Sequence, residues 1–285
     1  MRIEFEGPRI ALYTKKPRFL YENNFILADI VNNVKKRVVV RTEKEVRKDE
    51  SVTKGIIVSK LPPEAKVVGY FFDDSVGEVI VEVENPHVIN KEVGFDYVSI
   101  IESTGWKPKI KRAPHIPSSS LQTIYYTLKT GAEDRERFLR ESGEKIFRSK
   151  ISNTSEVSIY TFGAFKEVGR SSLLVSTPES KILVDCGINP GAKDPWDAYP
   201  RLDWLDLDLD EIDAVVISHA HMDHQGFLPV LFKYGYDGPV YCTEPTLPLM
   251  VLLQMDYVKV ASMEGGRALY APRGLRAHIQ RCNPL

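Results

Sequence analysis

Apolar and polar positions alternate with a period of two over residues 3–5 and 9–13. Gly7-Pro8 separates the two runs, which predicts a pair of short strands. Residues 19–34 change to a helical period, with Leu20, Phe25, Leu27, Ile30, Val31 and Val34 forming one apolar stripe. The β-branched run Arg37–Arg41 then predicts a third strand. A second cycle follows: residues 66–72 and 78–84 flank the turn sequence Asp73-Asp74-Ser75-Val76-Gly77, residues 88–104 read as a helix, and residues 106–112 read as a strand. That last strand sets Lys107, Lys109 and Lys111 against Trp106, Pro108 and Ile110. The pattern is β-β-α-β, twice over.

Residues 113–120 have linker composition, and residues 121–147 read as a charged helix or helix pair. The composition shifts near residues 151–155. Strands are then predicted over 157–162, 172–177, 181–184 and 214–217, with Pro178-Glu179-Ser180 as a hairpin turn. Helices over 226–234 and 245–261 flank a strand at 239–243, the order expected of a layered α/β sandwich.

The 285 residues suffice for two or three domains, and a composition 43% hydrophobic and 27% charged is that of a globular protein. The formal net charge of −1 gives no global pull toward nucleic acid or membranes. Three distant cysteines, Cys186, Cys242 and Cys282, suggest a reducing compartment rather than a disulfide framework. No signal-peptide pattern opens the chain, and the apolar run at 247–253 is too short to span a bilayer, so a cytoplasmic location is expected.

The chemistry concentrates in one place. The apolar strand 214–217 runs directly into Ser218-His219-Ala220-His221-Met222-Asp223-His224-Gln225-Gly226, which puts three of the six histidines and an aspartate within six residues. Imidazole and carboxylate are the donors that zinc and similar divalent ions take. Residues two apart at a strand end point the same way, so His219 and His221 are expected to pinch one ion. Asp223 and His224, in the turn toward the next helix, are placed to face a second.

His-x-His-x-Asp-His after a strand resembles the second motif of the metallo-β-lactamase fold, and Leu183-Val184-Asp185-Cys186-Gly187 resembles its first. Residues 159–169, Ser171–Val175 and the run from Asp213 to His219 are also similar to the archaeal homologues of the cleavage-and-polyadenylation specificity factor nuclease, which are β-CASP ribonucleases with two KH-type units ahead of the hydrolase. The resemblance implies an α+β chain of two KH-like ββαβ units (1–48 and 49–114), a helical linker (115–150) and the first half of a metallo-β-lactamase αββα sandwich (151–285). It implies two zinc ions, one on His219 and His221 and the other on Asp223 and His224, with Asp185 orienting a ligating histidine and Asp223 belonging to the catalytic group. It further implies endo- and exoribonuclease activity, transcription termination, RNA and the transcription machinery as partners, and dimer formation.

The pattern also departs from the family. The later histidine and aspartate motifs are absent, and His278 lies in a basic helical stretch unlike any of them. Two donors per ion fall below the three of open catalytic zinc sites, so the chain alone is expected to be inactive. A split gene completed by a second polypeptide, a truncated gene and an excised fragment all fit. The 88–94 stretch lacks the Gly-x-x-Gly of RNA-clamping KH loops and carries Glu92. Lys107, Lys109, Lys111 and Arg112 form the best basic strip for RNA, with a solvated strand face as the plainer reading. The alternating run Leu202–Asp210 lacks the glycine and glutamate of a calcium loop and is expected to be a half-buried acidic edge. Cys186 is expected to be a buried structural thiol. Two other functions remain open: a non-catalytic RNA-binding or assembly subunit with a vestigial metal site, and a small-molecule hydrolase.

Overall fold

The computed structural model describes residues 1–89, 96–149, 153, 155–263, 265 and 268–285. They form two compact units, one of residues Met1–Ser118 with Leu128–Phe147, the other of Ser119–Thr127 with Arg148–Leu285.

In the first unit, β1 (Arg2–Glu6) and β2 (Arg9–Thr14) form an antiparallel hairpin, and β3 (Arg37–Thr42) joins β2 in parallel. Gly7 turns the hairpin at φ +56°, a conformation that costs glycine nothing. The expected single helix between β2 and β3 is two, α1 (Pro17–Glu22) and α2 (Asn24–Val34). Asn23 breaks it: its Nδ2 donates to the Phe19 carbonyl at 2.7 Å, a local bond that competes with helix continuation. The stripe is buried only at Leu20, while Phe25, Val31 and Val34 are exposed.

The second cycle begins with a helix the periodicity did not single out, α3 (Glu50–Lys60), which buries Thr53 and Ile57 one turn apart. β4 (Val67–Asp73), β5 (Glu78–Val83), α4 (Tyr97–Thr104) and β6 (Lys107–Arg112) follow. The sheet order β4-β5-β6, antiparallel then parallel, repeats that of β1-β2-β3. Only 97–104 of the expected helix over 88–104 is α-helical, after a 3-10 turn at Pro86–Val88; positions 90–94 of the KH-loop stretch lie outside the described residues. A shared core of Ile57, Phe72, Val79, Val81, Ile100 and Trp106 holds this cycle together, each such buried side chain contributing roughly 1.5–3 kcal/mol. The Trp106 indole meets Phe72 edge-on at 5.0 Å and donates to the Lys48 carbonyl at 2.8 Å.

The two small sheets share one buried ion network. Arg41 on β3 donates to Glu6 on β1 at 3.1 and 2.6 Å and to Glu78 on β5 at 2.6 Å, with almost none of its side chain exposed. The charged segment expected at 121–147 is a helix pair, α5 (Ser119–Thr130) and α6 (Ala132–Ile146). α6 lies on β1, where a Cβ on Gly143 would come within 2.4 Å of the Phe5 Cβ.

The second unit is one six-stranded sheet of order β12-β11-β10-β9-β8-β7: β7 (Ser158–Gly163), β8 (Ser172–Ser176), β9 (Lys181–Val184), β10 (Ala214–Val216), β11 (Val240–Cys242) and β12 (Cys282–Pro284). β7, β8 and β9 are antiparallel, whereas β9 to β12 run parallel. Leu174, Leu183, Val215 and Val240 form the buried line across neighbouring strands, and β7 leaves Ile159 and Tyr160 exposed. Helices α8 (Met222–Gln225), α9 (Leu228–Lys233), α10 (Thr246–Met263) and α11 (Leu275–Arg281) connect the parallel strands, and α7 (Pro195–Ala198) lies in the β9–β10 connection. Along 202–210 the leucines are half-buried and every aspartate is exposed, the acidic edge the alternation predicts. No described helix is long and apolar enough to cross a membrane.

Candidate metal centre

Two backbone segments meet at the C-terminal ends of β9 and β10. The chain leaving β9 is stitched to the one leaving β10: Asp185 N–H donates to Val216 O at 2.8 Å, Cys186 N–H to His224 O at 2.7 Å, and Ile188 N–H to Met222 O at 3.0 Å. Asp185 adopts φ +59°, a left-handed conformation unusual for a non-glycine residue, and this brings its carboxylate back over the strand end. Gly187 permits the close approach. A Cβ there would lie 1.7 Å from the Asp223 carbonyl oxygen, backbone on both sides. Gly187→Ala is therefore expected to cost about 1–3 kcal/mol, measured by urea unfolding, and to weaken divalent-ion binding together with stability.

The four candidate ligands gather here. Asp223 and His224 sit on α8 itself rather than in a turn before it, with His221 at its N-terminal boundary. His219 Nε2 is 3.1 Å from His221 Nδ1, and His224 Nε2 is 3.5 Å from Asp223 Oδ2. The His219 and His224 rings are 4.0 Å apart. The buried Asp185 carboxylate faces His224 Nδ1 at 2.8 Å. Ser218, to which the sequence reading gave no role, donates to Asp185 from both its N–H and its hydroxyl at 2.8 Å.

His219 with His221, and Asp223 with His224, stand as two adjacent pairs of the donor types that divalent ions take. Two imidazole nitrogens at 2.0–2.1 Å from a tetrahedral zinc stand about 3.3 Å apart, close to the His219–His221 separation. Among the described residues, no group of three or more His, Cys, Asp or Glu side chains is arranged to hold an ion. The fit is thus that of two half-made jaws. Cys186 is fully buried and burial pushes its thiol well above the ordinary range, so it packs as a neutral thiol beside the site. His278 stands apart on α11, fully buried, its ring 6.2 Å from that of Phe232.

The β6 strip is less free than its sequence suggests. Lys107 and Lys111 register opposite Glu78 and Glu82, Lys109 Nζ pairs with Glu78 at 2.8 Å, and Lys107 is half-buried, with burial lowering its ammonium. Arg112 alone of the four is exposed. Sequence reasoning also missed Arg170, at φ +44°, which pins the preceding loop through Glu167 at 2.7 Å and the Trp196 carbonyl at 2.7 Å.

Residues 1–47 match the family described as transcription termination factor FttA, KH domain, and residues 166–273 match the metallo-β-lactamase superfamily. The chain is 49% identical over 276 residues to the transcription termination factor FttA of Cenarchaeum symbiosum, across 96% of this chain and 43% of that protein. It is 40% identical over 263 residues to the FttA of Methanothermobacter thermautotrophicus, across 92% of this chain and 41% of that protein. A solved metallo-β-lactamase of Cronobacter sakazakii aligns at 28% identity over 27% of each chain, with a TM-score of 0.22. The chain spans less than half the length of these curated relatives.

Proposed function

We propose that this chain, which is homologous over most of its length to the FttA transcription termination factors and carries their KH domain and a metallo-β-lactamase fold, holds part of the metal centre of an RNA-processing nuclease. The observation that supports this best is the pairing of His219 with His221 and of His224 with Asp223 beneath the Asp185 carboxylate. In this reading His219 and His221 hold one zinc, and Asp223 and His224 hold a second. Bound zinc supplies Lewis acidity at a phosphodiester and lowers the pKa of water. The chain's own residues bind and orient: Asp185 holds His224 Nδ1 and leaves Nε2 toward Asp223.

Each pair contributes two donors where an open catalytic zinc has three from protein, so each ion needs at least one further donor. Ribonuclease activity of this chain alone is expected to be absent, and zinc binding weak. The KH domain and the relatives' role in termination point to RNA and the transcription machinery as partners. Arg112 and the partly compensated Lys107, Lys109 and Lys111 are the proposed RNA contacts.

Competitive zinc titration of the purified chain tests the reading. Up to two ions are expected to bind, and His219→Ala with His221→Ala is expected to remove one of them while leaving the fold intact. Absence of zinc binding with RNA binding retained would instead favour a non-catalytic RNA-binding subunit. A small-molecule hydrolase is disfavoured by the KH match over residues 1–47.

A further inference from the structure

We propose that Ser218 is a positioning residue of the metal centre: its hydroxyl links His219 to Asp185, so that one carboxylate fixes the tautomer of one histidine in each metal-binding pair. The inference rests on the metal-binding reading above and names how this chain prepares its donors.

The hydrogen-bond chain follows from which atoms can donate. Asp185, as a carboxylate, only accepts. Its Oδ1 takes the Ser218 N–H at 2.8 Å, while its Oδ2 lies 2.8 Å from both Ser218 Oγ and His224 Nδ1. His224 therefore carries a proton on Nδ1, and its Nε2 lies on the side of Asp223 Oδ2. The Ser218 hydroxyl has one proton to donate, and it donates it to Asp185. Oγ is then an acceptor for its other neighbour, His219 Nδ1 at 3.0 Å, so His219 also carries its proton on Nδ1. The contact from Oγ to His224 Nδ1, at 3.4 Å, is the long one, and His224 Nδ1–H donates to the carboxylate instead.

The result is two histidines held with a proton on Nδ1, each with its Nε2 beside a second ligand-type atom. For His219 that neighbour is His221 Nδ1 at 3.1 Å. With His219 Nε2 accepting, His221 Nδ1 is the donor of this contact in the metal-free protein. Binding an ion between the two then requires His221 to move its proton to Nε2, whereas His219 needs no change. Asp185 reaches His224 directly and His219 only through Ser218. Alanine at 218 would keep the backbone N–H bond to Asp185 Oδ1 and delete only the relay, which makes it a clean probe.

The test is histidine tautomer assignment by long-range 15N–1H NMR on the metal-free 285-residue chain, paired with competitive zinc titration. In the wild type, His219 and His224 are both expected as Nδ1–H. Ser218→Ala is expected to release His219 toward the Nε2–H form while His224 stays Nδ1–H, and to weaken zinc binding roughly 10-fold, the range seen when a hydrogen-bond partner of a ligating histidine is removed. Ser218→Thr restores both. An Nε2–H His219 in the wild type, or a Ser218→Ala chain with unchanged His219 tautomer and zinc affinity, overturns the proposal. If Ser218→Ala does not fold, the wild-type tautomer alone decides it. Wild-type chain that shows the stated tautomers but takes up no zinc overturns the metal-binding reading, not the relay.

Discussion

Arg41→Ala is expected to destabilise the first unit by about 3–5 kcal/mol, because it strands the Glu6 carboxylate and leaves Glu78 with Lys109 alone in a site largely closed to water. The guanidinium makes three hydrogen bonds across the two small sheets, and little of any of the three side chains is exposed. Removing all three charges together, with Arg41→Met, Glu6→Leu and Glu78→Leu, is expected to cost far less than the single change, since the desolvation penalty disappears with the pairing. Urea unfolding followed by the buried Trp106, in a background where Trp196 and Trp204 are phenylalanine, reads the first unit alone. A cost below about 1 kcal/mol for Arg41→Ala would mean that water reaches the network.

The same network carries a pH signature. Burial by itself would raise the Glu78 carboxyl, but Arg41 and then Lys109 outweigh it and bring it down to about 2. A carboxylate depressed in the folded state contributes stability above its unfolded value near 4.5, and that stability is lost as pH falls from there toward 2. The full window corresponds to about 3 kcal/mol at 1.36 kcal/mol per unit.

The second large effect is expected at His278 in the other unit. Its imidazole is fully buried, neither ring nitrogen has a hydrogen-bond partner among the described protein groups, and burial lowers it to about 3 from 6.5. The folded protein therefore holds this ring neutral while the unfolded chain protonates it below pH 6.5. Stability from this group is complete above that value and falls as pH drops toward 3, by roughly 2 kcal/mol at pH 5 and roughly 5 kcal/mol over the whole window. His278→Leu is expected to remove this contribution to the pH dependence between 6.5 and 5. It is also expected to raise stability at neutral pH, since an unpaired buried polar group costs about 1–3 kcal/mol. Thermal unfolding of the second unit at pH 7 and pH 5, with and without the substitution, checks both. Equal pH sensitivity in the two proteins would place the titrating group elsewhere.

Much of the fold was legible because its signals are local. Hairpins announce themselves by alternation and turn residues, as at Gly7-Pro8 and at Asp73–Gly77, and the doubled order of strands emerged from that alone. The break at Asn23 and the helix α3 were not legible. A side-chain bond to Phe19 O and the burial of Thr53 and Ile57 are decided by geometry that periodicity does not encode. The lysines of β6 looked like a basic face until the register placed Glu78 and Glu82 beside them.

The candidate site divides along the same line. The chain by itself determined the donor types and their place after a strand, because a run of His219, His221, Asp223 and His224 is chemistry written in consecutive letters. Only the tertiary structure decided which nitrogens face each other, that Asp185 returns over the strand end at positive φ, that Gly187 leaves room for the Asp223 carbonyl, and that Ser218 links His219 to Asp185. The contacts of Asp185 and Gly187 join segments some thirty to forty residues apart, and what brings them together is the parallel pairing of β9 with β10. Spacing along a sequence constrains neighbours within a turn or a pleat; contacts between strand ends depend on how the sheet is assembled.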